Sequence, residues 1–331
     1  MATSIWFWVG FNALVLVILA LDLGVFHRRA HEVKLKEAAA WSAVWVTVAL
    51  LFNLLIYWWA GPQAGLEFLT GYLVEKSLAV DNIFVIAMIF SYFAVPSIYQ
   101  HRVLFWGILG ALVMRGAFIA GGAYALERWH WVIYVFGGIL LLTGIKMAVR
   151  KDDGGFDPER NPVVKIARRI LPLTDRYDGQ RFWTVENGKR VATPLFLVLL
   201  LVEVTDLVFA VDSIPAIFAI TKDPFLVYTS NVFAILGLRS MYFLLAGIVH
   251  KFVYLKYGLS LVLVFVGAKM LLLDVVKVPT AVSLGVITLL IGGSIAASLR
   301  ADRRGRKVGA APGAGDRDIG GPGAAAAPTP P

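Results

Sequence analysis

Apolar residues in this chain are gathered into blocks of about 20, the length a helix needs to cross ~30 Å of hydrocarbon. Nine blocks fit, at about 5–26, 40–60, 66–91, 102–126, 130–149, 194–220, 225–247, 256–275 and 279–299. Helices of a soluble domain carry one apolar stripe and a polar face instead. Charged residues make up only 16% of the 331 residues, against about 25% in soluble domains. Strand segments alternating between polar and apolar, the mark of a membrane barrel, are absent. The expected fold class is therefore an all-α polytopic membrane protein with about nine transmembrane helices.

The first block, "MATSIWFWVGFNALVLVILALDLGVF", has no basic leader and no small-residue cleavage pattern after it, and reads as a retained first helix. The chain has no cysteine, so disulfides, thiolate metal sites and cysteine nucleophiles are excluded. A net charge of +9 would fit a nucleic-acid partner, but its distribution assigns it to topology. Loop 27–39 holds four Lys and Arg, loop 150–193 ten and the tail from Arg300 six, with Arg102, Lys251 and Lys256 on the same side. The opposite side has Arg128, Lys222 and Lys277. By the positive-inside rule the rich side is cytoplasmic, with the N-terminus outside and the C-terminus inside. Contact with anionic lipids is a minor use of the same charge.

Residues 1–299 form the transmembrane part. Within the 150–193 cytoplasmic loop, "RFWTVENGKRVAT" reads as a hairpin closing on Asn187-Gly188, a pair suited to a type I′ turn. The 300–331 tail, rich in Gly, Ala and Pro, has nothing to bury and is expected to be disordered.

Two apolar blocks carry carboxylates, and they resemble each other. "EKSLAVDNIFVIAMIF" from Glu75 aligns with "DLVFAVDSIPAIFAIT" from Asp206, so that Asp81 matches Asp212, Glu75 matches Asp206 and Asn82 matches Ser213. The match continues in "ILGALVM" (108–114) with "ILGLRSM" (235–241), and in "GIKM" (144–147) with "GAKM" (267–270). Helices 3–5 thus recur as helices 6–8. Three spans separate the two starts, so the second unit crosses in the opposite sense, the arrangement that places a transporter's site at the interface of inverted repeats.

A charge at the bilayer centre costs about 2.5–3.5 kcal/mol, which makes Asp22, Glu75, Asp81, Glu203, Asp206 and Asp212 together an expense of roughly 15–20 kcal/mol if unpaired and ionised. They must be paired, protonated or facing water. The bases available are Lys76, Arg115, Arg239, Lys146 and Lys269. Arg115 and Arg239 lie mid-span and are expected to neutralise part of the cluster, whereas Lys146 and Lys269 sit near helix ends, within reach of the interface. Pairing alone stabilises little, which favours a cation path. Asp206 and Asp212 differ by about 120° around a helix, so one compact site needs both repeats or a broken helix. Pro215, which cannot donate to the carbonyl of Val211, is the expected break. Carboxylate, amide and hydroxyl oxygens suit a hard divalent ion, Mg2+, Ca2+ or Mn2+. His27, His31, His101, His130 and His250 all fall at loops or span ends.

At "VEKSLAVDN" (74–82), "EVTDLVFAVDSIPAIFAIT" (203–221), "SNVFAILGLRSMYFLL" (230–245) and "GAKM" (267–270) the chain resembles the TerC family of integral membrane proteins. The resemblance spans roughly residues 1–299 and implies an inner-membrane protein related to the LysE-type transporters. It further implies export of manganese, with the metal path formed by Glu75, Asp81, Asp206 and Asp212 beside Asn82 and Ser213. Glu203 belongs to one repeat and Asp22 to neither, which makes both weaker candidates. No prosthetic group and no enzymatic activity are expected: there is no HExxH or GxSxG motif, and the repeat accounts for both aspartates without an aspartyl dyad. The competing reading is an assembly or stress-response factor, linked to tellurium resistance through the family's name, that transports no metal. Proton exchange and a potential-driven path both fit the sequence.

Overall fold

The computed structural model describes residues 4–21, 34–149, 162–186, 188–246 and 254–309. The helices are α1 Ile5–Leu21, α2 Leu35–Ala60, α3 Pro62–Tyr92, α4 Ser97–Arg128, α5 Val132–Val149, α6 Pro162–Ile170, α7 Pro194–Phe218, α8 Pro224–Leu236, α9 Leu238–Leu245, α10 Leu255–Leu271 and α11 Thr280–Gly309. One hairpin, β1 Trp183–Glu186 and β2 Lys189–Ala192, stands between α6 and α7. Among the described residues five helices are long and apolar enough to cross a membrane: α2, α4, α5, α7 and the 280–301 part of α11. At 31 residues α3 has the length, but it carries Glu67, Glu75, Lys76 and Asp81 in its interior. Trp58, Val113, Leu142 and Leu289 stand exposed on helix exteriors, a surface suited to lipid and not to water.

Three boundaries depart from the sequence reading. The block at 225–247 is two helices, α8 and α9, broken at Gly237. Conversely, α7 runs without interruption through Pro215 to Phe218. Proline removes a hydrogen bond to the residue four earlier, but here it sits in the last turn, where the helix is ending anyway. Finally, α11 continues to Gly309, beyond the point where disorder was expected from residue 300. "SLRADRRGRK" is made mostly of strong helix formers and contains no proline. Asp22, His27, His31, His250, Asn187 and the tail from 310 lie outside the described residues.

Packing is pairwise. α3 lies on α8 and crosses α7, α4 lies on α7, and α5 lies on α10. The α5–α10 contact is the tightest, because glycines let the two backbones meet. A Cβ on Gly267 would stand 2.7 Å from the Leu141 nitrogen and 2.8 Å from the Gly137 oxygen. One on Gly144 would stand 2.9 Å from the Val264 nitrogen and 2.8 Å from the Ser260 oxygen.

The segment before α7 is tied to the helix ends rather than hanging free. In the hairpin Glu186 pairs with Lys189, and Gly188, at φ +75°, supplies the left-handed residue that the tight turn needs. Val164 and Ala167 of α6 bury against Leu195 and Val198 at the start of α7. Tyr177 donates to the Phe93 carbonyl at the end of α3, at 2.7 Å. Burial pushes its hydroxyl from 10.0 up to about 12. The folded state therefore favours the neutral phenol. That contribution is full below pH 10 and is lost as the pH rises through about 12. Proteolysis of this segment should accelerate across that alkaline window. Tyr177→Phe should lose about 1 kcal/mol of docking at neutral pH and show no such alkaline step.

Candidate functional site

Residues seven apart on a helix lie on one face, two turns from each other. α3 uses this spacing to aim Glu75 and Asn82 inward, and α7 does the same with Asp206 and Ser213; all four are buried. Into the space between them α4 sends Arg115, which is 2% exposed, and α8 adds Asn231. The guanidinium holds both oxygens of Asp206, with Nε to Oδ2 at 2.9 Å and Nη2 to Oδ1 at 2.8 Å. Its Nη1 donates to Glu75, to Asn231 Oδ1 at 3.1 Å and to Ser213 Oγ at 3.4 Å. Asn82 Nδ2 donates to Asp206 Oδ1 at 3.4 Å. Four helices are thus joined through one arginine.

Beside this cluster lies a cavity of about 20 Å3, lined by Asn82 and Asp206 together with Thr205, Gly107, Val202 and Leu238. Such a volume admits one water or one bare ion, since a water needs ~10–15 Å3. Among the described residues, Asn82 Oδ1 at the cavity and Glu75 Oε2 and Glu203 Oε2 beside it are buried acceptors with no hydrogen-bond partner, and Asn231 Nδ2 is a buried donor with none. Glu203 lies one turn before Asp206, its carboxyl packed against Gly110 of α4, where a Cβ would stand 2.0 Å from Oε1. Two carboxylates, Glu75 and Asp206, hold the one guanidinium, with Glu203 one turn before Asp206 on the same helix. A buried acceptor without a donor costs about 1–3 kcal/mol, so each of these unpartnered oxygens is a place where a water or a positive group would be stabilised.

The other candidate residues are distributed around this centre. Asp212 is half-buried on α7 and faces α5 instead, where Thr143 donates to it at 3.0 Å. Lys146, one turn further along α5, is near enough for its charge to act on Asp212. Asp81 is half-buried on α3, about 100° around the helix from Asn82. Among the described residues Lys76 meets no carboxylate. It donates to the Ala234 carbonyl at 3.3 Å, at the negative end of α8 just before the Gly237 break. Lys269 donates to Ser283 of α11 at 2.9 Å, and Arg239 is buried in the first turn of α9. Among the described residues no three His, Asp or Glu side chains converge as a ready-made metal cage. The oxygens at the cavity mix carboxylate with amide, and Arg115 stands among them. Asn231 and Thr143 are the partners missed from sequence. Asn231 had a signal, a polar pair with Ser230 inside an otherwise apolar block.

Residues 60–306 match the family described as "Integral membrane protein TerC family". The chain belongs to the TerC family of integral membrane proteins. Several relatives are similar over most of their length. One, "Uncharacterized membrane protein STKORF319" of Myxococcus xanthus, is 59% identical over 88% of this chain and 91% of its own length. Another, "Putative membrane-bound redox modulator Alx" of Escherichia coli (strain K12), is 53% identical over 85% of this chain and 90% of its own. An "Uncharacterized membrane protein" of Rickettsia bellii is 42% identical over 88% and 97%. No solved structure matches the chain.

Proposed function

We propose that this TerC-family protein exports a hard divalent cation, Mn2+, from the cytosol through the cavity beside Asp206. The observation that carries the reading is a set of buried acceptors at and beside the cavity: Asn82, which lines it, and the nearby Glu75 and Glu203 each present an oxygen that meets no donor among the described residues. Oxygen donors of this mixed kind suit Mg2+, Ca2+ and Mn2+, and Mn2+ is the ion the family resemblance implies. The path then runs from Asp206 toward Asp212, with Asp81 on the facing helix.

The inverted repeat supports the same reading. Pairing α3 with α7, α4 with α8–α9 and α5 with α10 turns the α3–α8 contact into the α7–α4 contact. Aligned on Gly144 and Gly267, Gly137 falls opposite Ser260 and Leu141 opposite Val264. The close approaches of the two glycines then become images of each other, each against the partner's nitrogen and oxygen at matching positions. Nine spans, an outside N-terminus, a cytoplasmic C-terminus and an inner-membrane location complete the proposal, on the distribution of Lys and Arg.

The name of the Escherichia coli relative speaks of redox modulation. Thiol exchange is not open to a chain without cysteine. Altered metal content is a route by which a membrane transporter would change a cell's redox state.

Flux of Mn2+ into vesicles containing the purified full-length protein tests the proposal. The wild type should load Mn2+ faster than empty vesicles, and Glu75→Gln should fall to the empty-vesicle rate. A wild type no faster than empty vesicles would falsify it. Repeating the assay with and without a pH gradient separates proton exchange from a potential-driven path.

A further inference from the structure

Resting on that transport reading, we infer that Arg115 is a built-in competitor for the cation, holding Asp206 when the cavity is empty and yielding it when a divalent ion enters. Asp206 stands at the boundary of two sites. One side belongs to Arg115, which engages both its oxygens, and the other lines the cavity with Asn82. An ion in the cavity takes its strongest ligand from the oxygens the guanidinium already occupies. Two positive groups sharing one buried carboxylate repel each other strongly at low effective dielectric.

Arginine does not lose its proton in a protein, so it relieves that conflict only by moving. The structure supplies the second resting place. Nη1 is held by Glu75, Asn231 and Ser213, independently of Asp206. A guanidinium released from Asp206 therefore stays paired, which removes the usual penalty for breaking a buried ion pair.

This arrangement sets a charge threshold. Displacing a bidentate guanidinium costs the same whatever the incoming ion, while the attraction of the carboxylates doubles from a monovalent to a divalent ion. K+ and Na+ fall below the threshold and Mn2+ passes it. Arg115 would then exclude the abundant monovalent ions that an acidic cavity otherwise attracts.

Equilibrium titration of purified full-length protein with Mn2+, in K+ and in a bulky organic cation, tests this. Arg115→Lys keeps the charge but loses the two-pronged grip. It should bind Mn2+ about tenfold tighter, the equivalent of one charge-assisted hydrogen bond, and should become sensitive to K+. Asn231→Ala removes a holdfast of the displaced guanidinium and should weaken Mn2+ binding about tenfold by the same reckoning. It also keeps the test alive if the lysine variant fails to fold. Arg115→Lys binding Mn2+ no tighter than wild type, or Asn231→Ala binding it equally well, overturns the competitor role while leaving transport standing. A wild type that binds no Mn2+ removes the transport reading and this inference together.

Discussion

Cells carrying Asp206→Asn are expected to accumulate manganese to the level of cells lacking the protein, with the variant still present in the membrane. Asp206 is the group on which the site converges, since it meets Arg115 from α4 and Asn82 from α3 and lines the cavity. Asparagine keeps its shape and one acceptor but removes the charge. Disturbing even the supporting partners of a metal ligand weakens affinity by about 10–100-fold, so on the proposed transport reading the loss of Asp206 should cost on the order of 100-fold. Asp212→Asn makes the informative contrast. It is held by Thr143 away from the cavity, so it should slow flux while Mn2+ affinity stays near that of the wild type. Equal loss of affinity in the two variants would place both aspartates in one site and contradict the geometry.

The other large effect concerns stability. Gly144→Val and Gly267→Val should each prevent recovery of monodisperse protein or lower its melting temperature sharply, and to a similar extent. The atoms that a Cβ would meet at 2.7–2.9 Å are backbone of the facing helix or a branched side chain packed behind it, not a flexible tip that swings away. Overpacking a core costs about 1–3 kcal/mol where neighbours adjust, and a backbone neighbour adjusts least. Gly138 is the control on the same helix, with nothing within 4 Å of its would-be Cβ. Gly138→Ala should match or exceed wild-type stability, because alanine is the better helix former by about 1 kcal/mol. A Gly138 variant as damaging as Gly267→Val would mean that α5 and α10 do not meet as described.

Much of this was legible in the sequence, for identifiable reasons. Lipid demands long apolar runs, so helix positions follow from composition. The 120° separation of Asp206 and Asp212 follows from helix geometry, and the structure indeed turns one toward α3 and α4 and the other toward α5. The choice among the buried bases was not legible. Arg115, Lys76 and Arg239 look alike in a string, but only tertiary packing directs Arg115 to the carboxylates and Lys76 to a helix end. Pro215 drew attention as a breaker, and its position in the final turn of α7 makes its effect small. The real interruption came at Gly237, where a Cβ would stand 2.6 Å from the Lys76 nitrogen. The glycine in "ILGLRS" is its local signal, a residue about 1 kcal/mol poorer than alanine in a helix, and the lysine that packs on it comes from another helix.

That interruption has a wider meaning for how the molecule sits in its surroundings. In α8 every residue but Pro224 and Tyr228 is buried, and α9 continues with Leu238 to Tyr242 buried as well. Ser230, Asn231, Arg239 and Ser240 are carried there at no charge to the bilayer, because no lipid chain touches them. The surrounding helices act as this element's solvent, and they are a far more polar one than hydrocarbon. The innermost helix is thereby released from the composition that the membrane imposes on its neighbours.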